Sequence, residues 1–118
     1  MKKIIGMLTL FAVVVACNSV SARELMPKEK SIIETAARQQ LKDPDSAKFY
    51  WQDYKGGEIY CGHVNAKNSY GGYAGKALLM VGVKTNSKGE VMSAETSIKS
   101  GEMEKLMAPI CTEAGYQP

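Results

Sequence analysis

Histidine is all but missing: His63 is the only one in 118 residues. A lone imidazole lacks the orienting partners that nucleophilic catalysis uses. Cys61 and His63 lie close together, but no second ligand pair accompanies them, so nothing would complete a zinc site. Excess charge of one sign is missing too. Without Lys2 and Lys3, which belong to the leader, 13 basic residues face 12 acidic ones, and no nucleic-acid footprint is left. A phosphate-binding loop is missing: Ala77 follows Gly75-Lys76 where a Ser or Thr is required, and Tyr70 occupies the place of the earlier glycine. There is no internal repeat and no low-complexity tract. Asp43, Asp45 and Asp53 are spread over a turn and a strand, with no spacing that sets two carboxylates across a cleft. No catalytic set, metal site or cofactor signature is therefore expected.

A long apolar run is also lacking. Ile4 to Ala16 carry no charge, but a membrane-spanning helix needs about 20 residues. Preceded by Lys2 and Lys3, the run has the form of a secretion signal covering residues 1–22. Two processing sites compete. Val14-Val15-Ala16-Cys17 resembles a lipobox, with cleavage before Cys17 and lipid on its thiol. Val20-Ser21-Ala22 resembles an ordinary small-x-small site, with a mature start at Arg23. A cysteine at the very end of the apolar core favours the lipoprotein. Asn18 stands where an aspartate would follow Cys17. By resemblance to enterobacterial lipoproteins, that favours the outer membrane. Either way the expected location is the periplasmic side of the envelope, with a possible lipid anchor.

Residues 23–118 form one domain, small enough to gain from a covalent staple. With Cys17 set aside, Cys61 and Cys111 remain, and in an oxidising compartment such a pair reads as a disulfide. The pattern Ile32, Ile33, Ala36, Ala37, Leu41 covers one face of a helix beginning at Pro27 and ending before Asp43-Pro44. Phe49, Tyr50, Trp51 and Tyr54 read as a strand, Gly56-Gly57 as a two-residue hairpin turn, and Glu58 to Ala66 as the returning strand. Ala77 to Thr85 is the central strand. Asn86-Ser87-Lys88-Gly89 is a turn, and Glu90 to Ile98 the last strand. Ser100 caps a helix with Met103, Leu106, Met107 and Ile110 on its apolar face; Pro109 should kink or shorten it, and Gly115 end it. The expected fold is α+β: a small antiparallel sheet of three to four strands, packed on one face by an N-terminal and a C-terminal helix, with one disulfide.

Seven of the nine aromatic residues lie between Phe49 and Tyr73. Phe49 and Trp51 should point to one side, under a helix, and Tyr50 and Tyr54 to the other, as an exposed patch. The segment 61–75 joins amides, a lysine, two tyrosines and four glycines. Its glycine-rich part, Asn68 to Gly75, reads as irregular loop. The candidate binding residues are Asn65, Lys67, Asn68, Tyr70, Gly71, Gly72 and Tyr73. Tyrosines offer broad contact area with a polar tip, as at many interfaces. The plainer alternative is a long hairpin connection whose amides satisfy its own backbone.

Two stretches carry a resemblance: Asp43-Pro44-Asp45-Ser46-Ala47-Lys48-Phe49, and Cys61-Gly62-His63-Val64-Asn65-Ala66-Lys67-Asn68-Ser69-Tyr70-Gly71-Gly72-Tyr73-Ala74-Gly75. Over about residues 30–80 the chain resembles a group of small exported proteins, often lipoproteins, of Gram-negative bacteria and their phages. The resemblance supplies no catalytic residues. His63 stands where those relatives are expected to carry an acid, so no role resting on charge there is carried over. The reading favoured is a non-enzymatic envelope module that binds another envelope protein or a cell-wall glycan, and no nucleic acid, through the 65–75 loop. The rival is a small periplasmic hydrolase or enzyme inhibitor using His63 and the neighbouring loop.

Overall fold

A computed structural model describes residues 22–118; the expected secretion signal up to residue 21, with Cys17, lies outside the described residues. Helix α1 spans Pro27–Arg38, a 3-10 turn Pro44–Ser46, strands β1 Lys48–Tyr50, β2 Ile59–Asn65, β3 Ala77–Thr85 and β4 Val91–Lys99, and helix α2 Gly101–Glu113. The strands form one antiparallel meander in the order β1-β2-β3-β4. The α+β class, the two helices and the staple between Cys61 and Cys111, with Cα atoms 5.9 Å apart, are as the sequence leads one to expect.

The helices do not share a face of the sheet. Side chains alternate along a strand, so Tyr60, Gly62 and Val64 point one way and Cys61 the other. Phe49 pairs with Val64 and stacks on Trp51 at 5.5 Å, while Arg38 and Lys30 of α1 lie over these two rings. Helix α1 therefore covers the Val64 face, burying Leu79 and Val81. Helix α2 is bonded to Cys61 and covers the opposite face over Leu78. Short sequential strands leave both faces of a meander open, and the cysteine parity decides which one each helix takes.

That parity also sets the rotation of α2. Met107, Cys111 and Ala114 pack inward, while Met103, Leu106 and Ile110, expected in the core, are exposed; Leu106 is 68% accessible. Pro109 neither ends nor shortens the helix, which runs on to Glu113. Beyond the cap at Ala114, Gly115 is left-handed, with φ +96°. Its N–H donates to the Thr112 carbonyl, and the Tyr116 N–H to that of Cys111 at 2.9 Å. This Schellman closure lays Tyr116 edge-on against Tyr60, with ring centroids 5.3 Å apart.

The first hairpin differs from the expected one. The β1–β2 register, Lys48 opposite Asn65, would carry on to Lys55 opposite Glu58 around Gly56-Gly57, but the ladder stops at Tyr50. Tyr54 turns aside to bridge Arg23, with N–H···O bonds in both directions. Tyr54 is thus buried, at 2% exposure, and not part of a surface patch. The hydroxyl of Tyr60 takes over the abandoned edge, accepting from the Gln52 N–H at 2.8 Å and donating to its carbonyl at 3.0 Å. Burial pushes that phenol up to about 12. The ring of Tyr60 crosses Gly62, where an added Cβ would lie 2.9 Å from the Tyr50 carbonyl and 3.4 Å from the ring.

Glu29, one turn before Ile33 and two before Ala37 on the buried line of α1, is 1% exposed. Its carboxylate accepts both Arg23 guanidinium N–H groups at 2.6 and 2.7 Å, the Met26 N–H at 2.9 Å and the Val91 N–H at 2.7 Å. These bonds, the Arg23 ones first, hold the carboxyl at about 2, against an ordinary 4.5. The clamp joins the N-terminal strand segment, α1 and the start of β4 at one end of the sheet.

Candidate binding surface

The candidate residues lie at the other end. The β2–β3 connection is more ordered than its glycines suggest. The Gly71 N–H donates to the Asn68 carbonyl at 3.1 Å and the Asn68 N–H to the Gly72 carbonyl at 2.8 Å. The Asn68 side-chain oxygen accepts from the N–H groups of Tyr70 and Gly72. Gly71 has φ +81°, which a glycine adopts without strain. This is a type I-like turn closed by a left-handed glycine, flanked by a Lys67–Tyr73 bridge. Tyr70 stands at its tip, 96% exposed.

The two stretches that carry the resemblance meet here. Ser46 is the joint. Its hydroxyl donates to the Asp43 carbonyl and accepts the Lys67 N–H at 2.9 Å, and its carbonyl accepts the Tyr73 hydroxyl at 3.1 Å. Asn65 accepts the Gly75 N–H at 3.1 Å. The candidates thus divide. Asn65, Asn68 and Gly71 shape the loop. Lys67, Tyr70 and Tyr73 present side chains on it, and Gly72 has open space around its Cα.

Three residues outside the candidate set join this surface. The Lys48 ammonium lies 4.5 Å and that of Lys67 5.8 Å from the centroid of Tyr73; the Lys76 ammonium lies 4.0 Å from that of Tyr50. Tyr50 was expected to face outward with Tyr54, and Lys48, two before it on the same strand side, shares that surface. A cleft of about 290 Å³ adjoins, between the segment after α1 and the loop, with Val64, Ala77 and Ile98 among its lining and Lys42, Lys67 and Asn68 beside them.

His63 is half-buried on β2, paired with Tyr50 at the border of this surface. The cleft it lines contains Gln52, Lys55 and Gln117 but no carboxylate, hydroxyl nucleophile or thiol to partner it. Among the described residues no group of three or more His, Cys, Asp or Glu could hold a metal ion, and no helix is long and apolar enough to cross a membrane. No protein-family model, curated protein or solved structure matches the chain.

Proposed function

We propose that the chain is an exported cell-envelope protein, soluble in the periplasm or lipid-anchored through Cys17, that acts as a non-enzymatic binding module through its 65–75 loop. The observation that carries this reading is Tyr70: a nearly fully exposed ring at the tip of a turn whose every flank is tied down. Large rings on rigid supports lose little entropy when a partner covers them. The Cys61–Cys111 bond suits an oxidising compartment, and the partnerless His63 favours binding over hydrolysis.

The test is photo-crosslinking in cells from a reactive amino acid placed at Tyr70 or Tyr73. A discrete adduct, lost on competition with unmodified protein, is expected. An adduct ladder no different from one obtained at Lys88 would remove the basis of the reading. For the leader, Cys17→Ser tests the anchor: loss of acyl label and of membrane association is expected, and unchanged fractionation would leave the Ala22 site as the point of processing.

A further inference from the structure

We infer that the loop end of the sheet recognises an acidic peptide segment of a protein partner. This rests on the proposed binding role of the same loop and adds the chemistry of what binds. Three ammonium groups, those of Lys48, Lys67 and Lys76, are held over two tyrosine rings. The Tyr73 ring is fixed by its hydroxyl on the Ser46 carbonyl, and Tyr50 projects from a backbone position set by strand pairing with His63. A lysine on a free stem sweeps a wide volume; one resting on an aromatic face presents its charge in a narrower region.

Among the described residues no carboxylate uses these charges. The ion pairs among the described residues join Arg23 to Glu29, Lys30 to Glu24, Arg38 to Glu34 and Lys105 to Glu102. Lys42, Lys48, Lys67 and Lys76 are in none of them, although Asp43 and Asp45 lie on the adjoining 3-10 turn. Two like charges on the single ring of Tyr73 repel one another, and an incoming anion relieves that repulsion.

The same geometry selects among anions. A sugar would stack on tyrosine faces, but an ammonium group already lies over Tyr50 and two lie over Tyr73, which leaves Tyr70 as the open ring. A cleft of about 290 Å³ lined by Val64, Ala77 and Ile98 opens on the α1 side of the same sheet end, sharing Lys67 and Lys76 with the ring-bound lysines, and lies at the lower end of ligand-pocket volumes. It suits one apolar side chain and not an acyl tail. A segment whose carboxylates recur on one side for the lysines, with one aliphatic side chain past them to reach the cleft, matches both features.

The probe is a fluorescent peptide with glutamate at every second position and one terminal leucine, titrated by anisotropy against the disulfide-bonded protein recovered after export. Binding at low salt should weaken at least tenfold on moving to several hundred millimolar sodium chloride, the range over which surface charges are screened. The Lys48→Gln/Lys67→Gln/Lys76→Gln variant should bind about tenfold or more weakly, with an unchanged melting temperature. Lys84→Gln/Lys88→Gln should bind like the parent. No binding at low salt, or equal binding by the triple variant, overturns the inference. Phosphatidylglycerol vesicles that bind more tightly than the peptide, with the same lysine dependence, overturn it in favour of a lipid headgroup. A specific Tyr70 adduct in cells that survives the triple substitution would leave the binding role standing and remove the acidic peptide.

Discussion

The turns Asn68–Gly71 and Asn86–Gly89 share the sequence Asn-Ser-X-Gly and the same wiring. In each, the glycine N–H donates to the asparagine carbonyl, the asparagine N–H to the carbonyl of the residue after the glycine, and the asparagine side chain accepts two backbone N–H groups. Both glycines are left-handed, at φ +81° and +78°. Their surroundings differ. At Asn86–Gly89 the Gly89 carbonyl accepts from Arg23 at 2.9 Å, and two residues on, Val91 donates to Glu29. At Asn68–Gly71 the tip points into solvent and carries Tyr70. The same local code is drawn into the stability of the fold at one end and left as a displayed surface at the other. What separates a structural turn from a contact turn here is which side chains arrive from far away in sequence.

The comparison breaks first at the clamp. Glu29→Ala strips two guanidinium bonds and leaves the N–H groups of Met26 and Val91 without their acceptor. A loss of about 3–5 kcal/mol is expected, since breaking a buried pair from one side leaves its partners uncompensated. Thermal unfolding should then fall by roughly 15 °C or more. Triple substitution of the three ring-bound lysines should leave the midpoint unmoved, and a comparable fall there would erase the distinction between the ends.

Acid gives a second handle on the same residue. The Glu29 carboxyl lies near 2 in the folded protein and at its ordinary 4.5 once unfolded. The unfolded chain therefore takes up the proton first. The stabilisation is fully present above about pH 4.5 and drains away as pH falls toward 2, worth about 2–3 kcal/mol after allowing for the part-exposed guanidinium. Urea midpoints measured across that range should slope downward in the parent and flatten in Glu29→Ala. An equal slope in both would assign the acid sensitivity to other carboxylates.

Gly62→Ala comes next. The new methyl would press on the Tyr50 carbonyl and the Tyr60 ring, costing about 1–3 kcal/mol as overpacking does. It should show first as faster hydrogen exchange in β1, which pairs with β2 alone. The matched pair Asn68→Ala and Asn86→Ala sharpens the comparison most directly. Each loses two accepted backbone N–H bonds, about 1 kcal/mol apiece by ordinary accounting, and Asn86 also a weak amide bond to the Met92 sulfur at 3.6 Å, but Asn86→Ala should cost more than that in chemical denaturation because its turn positions two partners of the clamp. Equal costs would mean the turns act independently of their surroundings. Smallest of all, Tyr70→Ala and Leu106→Lys should each change stability by less than about 0.5 kcal/mol.

Where local chemistry dominates, the elements were readable from sequence. Pro27 begins α1, Ala77 to Thr85 is β3 to the residue, and Asn86-Ser87-Lys88-Gly89 turns as its composition says. The same four-residue signature at Asn68 was concealed by the extra glycines after it, and reading it alongside Asn86 would have revealed a turn where loop was expected. Glu29 was also legible in part, since it lies four before Ile33 and eight before Ala37 on the apolar line. What no local pattern contained was tertiary. Arg23 reaches back to Glu29, and Tyr54 leaves the hairpin for Arg23. The parity of Cys61 sends α2 to the far face of the sheet and turns Leu106 outward. Lys67 was in the candidate set, but its meeting with Lys48 over Tyr73 was not legible, because it depends on Ser46 tying the 3-10 turn to the loop.

The bond between Cys61 and Cys111 has a consequence for the exposed turn. Its two cysteines lie on opposite sides of Tyr70 in the chain. A protease that cuts after that ring therefore severs the backbone without parting the molecule: one fragment keeps β1 and β2, the other β3, β4 and α2, and the sulfur bridge holds them together. Electrophoresis of a nicked sample would show a single band until a reductant is added, then two. A scission at this exposed tip is thus silent to any assay of size run under oxidising conditions.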